Sequence, residues 1–374
     1  MPTKAHYDLG IDSEAVEDAL SRNLTFPARW YSDPDIYALE IDKMFARSWQ
    51  YAGQLAKLGN PGDHLVCQVG QVPIVVTRDL EGELHAFVNV CRHRAYPVAV
   101  EDGNRKILQC GYHAWTYNLD GCLLKAPRSE REECFDKSDF SLIPASVDTW
   151  NELVVVNPHA EAASFRESYP EFEPLALERG LDFRGYRYHS RFTYEVPANW
   201  KVWVENASEC YHCPTIHTRS FSDAFVDKPD IYEYVDGSRV LGQFTVYNPR
   251  AKKYPHPMRE GDRHFRFMYL WPGTTLVQDD WVATAAIIVP TGPESCRFIA
   301  DMFVRPELDE NQVADWLSML DQTLLEDTHA VGLQQPGLRS QMVPHGRLMP
   351  ASESAITRFH RMVWENLSEI LDEG

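Results

Sequence analysis

Two short stretches, Cys91-Arg-His93 and Cys110-Gly-Tyr-His113, constrain this chain more than any other feature. Each carries one thiol and one imidazole, so only a fold that brings the two loops together can use them. Two thiolates and two imidazoles could hold zinc tetrahedrally. Zinc fingers, however, draw a Cys pair from one hairpin and a His pair from a helix, whereas each loop here supplies one of each. The surrounding sequence is β-rich. Runs such as "HLVCQVG", "VPIVVTR", "LHAFVNVC" and "ELVVVNP" alternate with Gly, Asp, Asn and Pro turns, and "NLDG" at 118–121 is a turn signal. This texture predicts a small antiparallel β-domain over residues 50–157 that carries both loops.

A Rieske [2Fe–2S] cluster needs this division of ligands, two Cys on one iron and two His on the other. The pairing of CxH with CxxH in a β-rich context favours the cluster over zinc. It assigns Cys91, His93, Cys110 and His113 as ligands. The segment "CRHRAYPVAVEDGNRKILQCGYHAWTYNLDG" closely resembles that of the Rieske non-haem iron oxygenases, the terminal components of ring-hydroxylating and related systems. The resemblance runs from "FARSWQYAG" to the C-terminal helix.

A Rieske cluster has no open position for oxygen, so an oxygenase needs a second iron, commonly held by two His and a carboxylate. The family pattern is NWK, then Asn-x-x-acid-x-Tyr-His, then His five residues on. This chain has "NWK" at 199–201, then Asn206, Glu209, Tyr211, His212 and His217. The reading places His212 in the last turn of a helix and His217 just past a break at Pro214. A long helical pattern over 308–332 carries an apolar stripe of Val313, Trp316, Leu317, Leu320, Leu324 and Val331. Asp327 falls near the centre of that stripe, while Glu326 turns away from it. A buried carboxylate needs a cation or donors, which a core Arg or hydroxyl could also provide. The resemblance of "LLEDTHAVGLQQPGLRS" to the family's Glu-Asp helix implies that Asp327 is the third iron ligand.

The resemblance also implies that Glu209 bridges the two metal centres, bonding the second Rieske His of a neighbouring subunit (here His113) and the first iron His (here His212). Most aromatic-ring oxygenases have Asp at this place. The Glu within "ECYHC" is more similar to the branch acting on carnitine, choline and betaines. The same stretch holds a CxxC, Cys210 and Cys213. Placed at a helix C-terminus, where the dipole disfavours a thiolate, the pair reads as packing thiols rather than a redox dithiol.

Composition narrows the partners. With 55 acidic and 36 basic residues the formal charge is −19, which repels phosphate backbones and argues against nucleic acid. The start "MPTKAHYDLGIDSEAVEDALS" lacks the build of a signal peptide, and no apolar run is long enough for a membrane span. The expectation is therefore a cytoplasmic protein. Helical signals at 14–22 and 35–48 lead to a division into an N-terminal helical segment (1–49) belonging to the catalytic domain, a Rieske domain (50–157) and a catalytic domain (158–374). Residues 249–263, with three prolines and five basic residues, read as a loop.

The implied fold is α+β: an antiparallel β Rieske domain beside a catalytic domain whose curved antiparallel sheet grips a long C-terminal helix. The implied cofactors are the cluster and a mononuclear Fe(II). No GxGxxG fingerprint is present, so electrons must come from a separate flavin-containing reductase, with or without a ferredoxin. The family is implied to be homotrimeric. Monooxygenation beside a quaternary nitrogen, attack on an aromatic ring or aromatic acid, and simple Rieske electron transfer are the competing activities. The 10 Trp and 17 Tyr supply material for an aromatic cage in the first.

Overall fold

The computed structural model describes residues 11–220, 222–224, 233–248 and 264–372. The basic loop expected at 249–263 lies outside them. The chain forms two compact units, Phe45–Pro170 and a larger one made of Met1–Met44 with Glu171–Gly374.

In the smaller unit, the apolar runs become strands of one antiparallel seven-stranded sheet. Its order is Gln50–Gln54, Leu153–Asn157, Pro144–Trp150, Leu84–Val88, Val72–Arg78, Asp63–Val69 and Gly103–Asn104. Leu65, Ile74, Val76, Ala86, Val154 and Val156 pack its core. A second, three-stranded sheet (Leu108–Gln109, Thr116–Tyr117, Leu123–Lys125) packs Leu108, Tyr117 and Leu123 against Val75 and Phe87. The Asn118–Gly121 turn sits at its corner. Gly121 has φ +86°, and a Cβ there would fall 2.4 Å from the Phe87 ring, so both backbone and space require glycine.

The larger unit is built on a seven-stranded antiparallel sheet. Its order is Arg187–Val196, Ser295–Val304, Val282–Gly292, Thr274–Gln278, His264–Leu270, Val240–Val246 and Glu233–Asp236. One face packs against the helix Glu310–Ser340, where Val313 and Trp316 meet Val282, Met302 and Val304. Asp309 starts that helix through a reciprocal capping box with Gln312. The helix runs beyond the expected end at 332 and passes through Pro336. Tertiary anchoring at Gln335 accompanies this: its buried amide accepts from the Asn199 N–H (2.9 Å) and donates to the Tyr31 carbonyl (2.9 Å).

Two further helices, Ser13–Ser21 and Pro34–Lys43, begin at Asp12 and Asp33, whose side chains accept from the first-turn amides. They belong to the larger unit. Lys201 Nζ pairs with Glu40 at 2.6 Å, both side chains being 0% exposed, and the Trp200 indole donates to the other Glu40 oxygen at 2.7 Å. Tyr31 donates to Glu205 at 2.7 Å. These bonds fix the helix Trp200–Ala207, which leads into the "ECYHC" stretch. Among the described residues, no helix is long and apolar enough to cross a membrane.

Candidate metal centres

The two loops of the smaller unit have the same backbone design. The Cys91 N–H bonds the Tyr96 carbonyl and the Cys110 N–H bonds the Trp115 carbonyl, each at 2.8 Å and each five residues on. Ala95 N–H returns to the Cys91 carbonyl (3.0 Å) and Ala114 N–H to the Cys110 carbonyl (3.1 Å). Ala95 and Ala114 sit at φ +56° and +57°. A left-handed alanine costs on the order of 1–3 kcal/mol and persists only where surrounding structure requires it. Each loop thereby tucks its Cys inward and leaves its His outside: Cys91 and Cys110 are buried, His93 and His113 exposed. The imidazole rings meet with centroids 4.5 Å apart, and His93 stacks on Trp115.

Burial pushes the Cys91 thiol up, and Cys110 beside it adds to the shift against the hydrogen bond from Tyr117. The buried Cys91 thiol is thus a poor place for free thiolate charge, and the donor set of two thiols and two imidazoles fits iron–sulfur ligation. The Tyr117 hydroxyl lies 3.3 Å from Cys91 Sγ and accepts from the Arg92 N–H at 3.0 Å. Burial raises the phenol's pKa, keeping it protonated.

The second cluster of groups lies on the larger unit. Asn199 caps the helix Trp200–Ala207, which ends earlier than its sequence suggests. His212 is therefore not in its last turn. The Glu209 carboxylate accepts the Tyr211 and His212 N–H groups, which a continuing helix would have used, and Pro214 opens a short separate helix, Cys213–Ile216. Across that break His212 and His217 turn toward one point. Their Nε2 atoms are 3.2 Å apart, and Asp327 Oδ1 is 3.4 Å from each. Ligand bonds of about 2.1 Å place neighbouring donor atoms about 3.0 Å apart at a right angle and about 3.4 Å apart at a tetrahedral one. The triangle fits a single ion. Asp327 is 9% exposed and its Oδ1 has no hydrogen-bond partner.

The neighbouring carboxylates prepare both imidazoles. Glu209 Oε1 is 2.5 Å from His212 Nδ1, and Glu326 Oε2 is 3.2 Å from His217 Nδ1. Each bond places the ring proton on Nδ1 and leaves an Nε2 lone pair for a metal. Burial opposes charge on His212, but Asp327 and Glu209 pull its pKa up to about 10. His217 moves down, through burial and the charge on His212, against the opposite pull of Asp327. The buried Asp327 Oδ1 and the two Nε2 atoms thus converge on one point, an arrangement that suits a cation.

Sequence reasoning brought His212, His217 and Asp327 together but missed Glu326, treated there as turning away from the stripe. Its side chain reaches around the helix to His217, Ser220 Oγ (2.7 Å) and the Arg219 N–H (3.3 Å). Its place next to Asp327 was the only signal. The reading of Cys210 and Cys213 as packing thiols is also corrected. They form a disulfide, the one disulfide among the described residues, and neither lies in the helix Trp200–Ala207.

Comparison with known proteins gives a family for each of the two units. The Rieske [2Fe–2S] domain family matches residues 48–145, and the ring hydroxylating alpha subunit (catalytic domain) family matches 183–369. A chloroplastic choline monooxygenase of Arabidopsis thaliana is 31% identical, over 93% of this chain and 84% of its own length. The carnitine monooxygenase oxygenase subunit of Escherichia coli (strain K12) is 30% identical, over 91% of this chain and 92% of its own. The crystal structure of the quaternary ammonium Rieske monooxygenase CntA with gamma-butyrobetaine aligns at a TM-score of 0.81 and 26% identity, covering 95% of this chain and 99% of that one. Naphthalene 1,2-dioxygenase from Rhodococcus sp. shares the fold at a TM-score of 0.78 and 18% identity, covering 97% of this chain and 98% of that one. The chain belongs to the Rieske non-haem iron oxygenases, as the terminal oxygenase component that carries both a Rieske domain and a catalytic domain for mononuclear iron.

Proposed function

We propose that this oxygenase attacks a carbon next to a quaternary nitrogen, in a small betaine-like substrate. One observation carries the reading. A cavity of about 170 Å³ in the larger unit is lined by aromatic Tyr247, Phe265 and Trp316, by Met302 and Met319, and by a single charged side chain, Asp279. Asp279 is fixed at a hairpin turn, where Oδ1 accepts the Trp281 and Val282 N–H groups at 2.6 Å each. Aromatic faces and one carboxylate attract a cation without demanding donors from it, which suits a methylated ammonium. Thr323 also lines the cavity and stands one helical turn before Asp327, so a substrate held there lies toward the metal ligands.

Cys91, His93, Cys110 and His113 would hold the cluster, and His212, His217 and Asp327 the mononuclear iron. The cluster supplies single electrons and the iron supplies oxygen activation. The chain's own residues do the remaining work. Tyr117 donates toward Cys91, Glu209 and Glu326 fix the tautomers of His212 and His217, and the aromatic cavity excludes water from the cation. The Glu209 carboxylate, bonded to His212, would receive His113 from a second copy of the chain, which places the two centres of a homotrimer in electronic contact. A flavin-containing reductase in the cytoplasm, with or without a ferredoxin, would feed the cluster at the exposed His93.

The test is coupled oxygen uptake with a surrogate reductase across betaines, carnitine, choline and aromatic acids, for the native chain and Asp279→Asn. The expected result is turnover of cationic substrates with KM raised at least about tenfold by Asp279→Asn, as loss of a desolvated ionic contact implies. Coupled turnover of an aromatic acid, with betaines inert, would overturn the reading.

A further inference from the structure

We infer that Cys210 and Cys213 form a thiol–disulfide site whose two states give the metal centre three or four protein ligands. The inference rests on the assignment of His212, His217 and Asp327 as the metal's ligands, and adds a sulfur whose availability is set by redox chemistry.

Position is the first argument. The cysteines flank Tyr211 and His212, so the disulfide ring encloses the first of the three ligands assigned to the mononuclear site. Cys213 Sγ is 3.9 Å from His212 Nε2, the nitrogen aimed at Asp327 and His217. The ligand atoms of His212, Cys213 and His217 all lie within 4.8 Å of one another. Bonds of about 2.3 Å to sulfur and about 2.1 Å to nitrogen put two ligands of one ion about 3.6 Å apart at a tetrahedral angle. Cys213 needs only a small shift to join the set. In the disulfide its sulfur carries no charge and is a weak donor; as a thiolate it is a strong one.

Asymmetry is the second. Cys213 is 6% exposed, Cys210 is half-buried, and Tyr211 between them is 62% exposed. An incoming thiolate therefore reaches the Cys210 sulfur, and Cys213 is the leaving group, on the metal side. The S–S bond breaks with its electron pair on Cys213 while a mixed disulfide forms at Cys210. The second thiol of a dithiol reductant then displaces Cys210. The balance is protein disulfide plus dithiol giving protein dithiol plus the reductant's disulfide. In the reverse direction two protein thiols and hydrogen peroxide give the disulfide and two waters. Three ligands leave one side of the ion free for oxygen, and the fourth closes part of it. The pair is thus a brake that reductant sets and peroxide releases.

The experiment is site-resolved alkylation of the full, cluster-bearing chain with N-ethylmaleimide, read by mass spectrometry. Peroxide-treated protein should label at neither cysteine. After anaerobic reduction with a phosphine, Cys210 should label freely. Cys213 should label about tenfold more slowly when the mononuclear site holds Fe(II) than when it is stripped, because a coordinated sulfur is not a free nucleophile. Cys210→Ser should show the same Fe(II) protection of Cys213 with no reductant. Equal Cys213 labelling with and without bound Fe(II), fast or slow, overturns the inference, as does labelling of both cysteines after peroxide. Fe(II) that does not bind the site at all overturns the ligand assignment as well, and metal analysis on the same samples separates that failure from the first.

Discussion

Glu326→Gln tests the geometry around His217 most directly. The carboxylate accepts four hydrogen bonds. Oε2 takes His217 Nδ1 (3.2 Å) and Ser220 Oγ (2.7 Å), and Oε1 takes the Arg219 N–H (3.3 Å) and Gln322 Nε2 (3.2 Å). A glutamine has one accepting and one donating end, so no orientation satisfies all four. With its oxygen toward His217, the amide NH2 faces two donors, which costs about 1–3 kcal/mol for the groups left unpaired. With its NH2 toward His217, Nδ1 must accept, the proton moves to Nε2, and the lone pair needed by the metal is gone. Either way the negative charge that raises the basicity of His217 is lost. Removing such an orienting partner weakens metal binding about 10–100-fold, or about 1.4–2.7 kcal/mol. The assay is Fe(II) titration of protein stripped at the mononuclear site, with the Rieske absorbance as an internal control. An affinity within about twofold of the native value, at unchanged Rieske absorbance, would refute the reasoning.

Other perturbations separate the remaining parts. Asp327→Ala removes the carboxylate whose buried Oδ1 has no hydrogen-bond partner; iron analysis should show the mononuclear iron lost with the Rieske spectrum retained, and full iron content would remove Asp327 from the site. Tyr117→Phe deletes the protonated phenol beside Cys91 Sγ, so the cluster's reduction potential, read by redox titration, should fall; an unchanged or higher value contradicts a donor role. Lys201→Met leaves Glu40 charged and buried with only the Trp200 indole, which should cost about 3–5 kcal/mol in urea unfolding, and a loss under about 1 kcal/mol would mean that the pair is not holding the helix Trp200–Ala207.

Strands were readable where burial imposed unbroken apolar runs. "VPIVVTR" became Val72–Arg78 without change of bounds, and "ELVVVNP" holds the strand Leu153–Asn157. The pairing of the CxH and CxxH loops was readable because a cluster would fix ligand type and loop spacing together, and the two loops do meet, with the His93 and His113 ring centroids 4.5 Å apart. The errors fall where distant parts decide. The helix after Asn199 was extended to His212 because propensity does not show that the Glu209 carboxylate captures the amides of Tyr211 and His212. Cys210 and Cys213 looked inert because their position was inferred from that overlong helix. Glu326 was set aside because a helical wheel describes where a side chain leaves the helix, not where a long one arrives.

Glu209 was singled out in the sequence for being one carbon longer than the aspartate usual at its place. One carboxylate there closes its own loop through two backbone amides and also touches the ring of the residue three positions on. An aspartate rooted at the same Cα would be about 1.5 Å short and would have to choose between the backbone and the ring. The extra methylene is thus the span of a brace. Its length answers to the curvature of the loop between two helices, so a shortened acid should loosen the loop before it affects any choice of substrate.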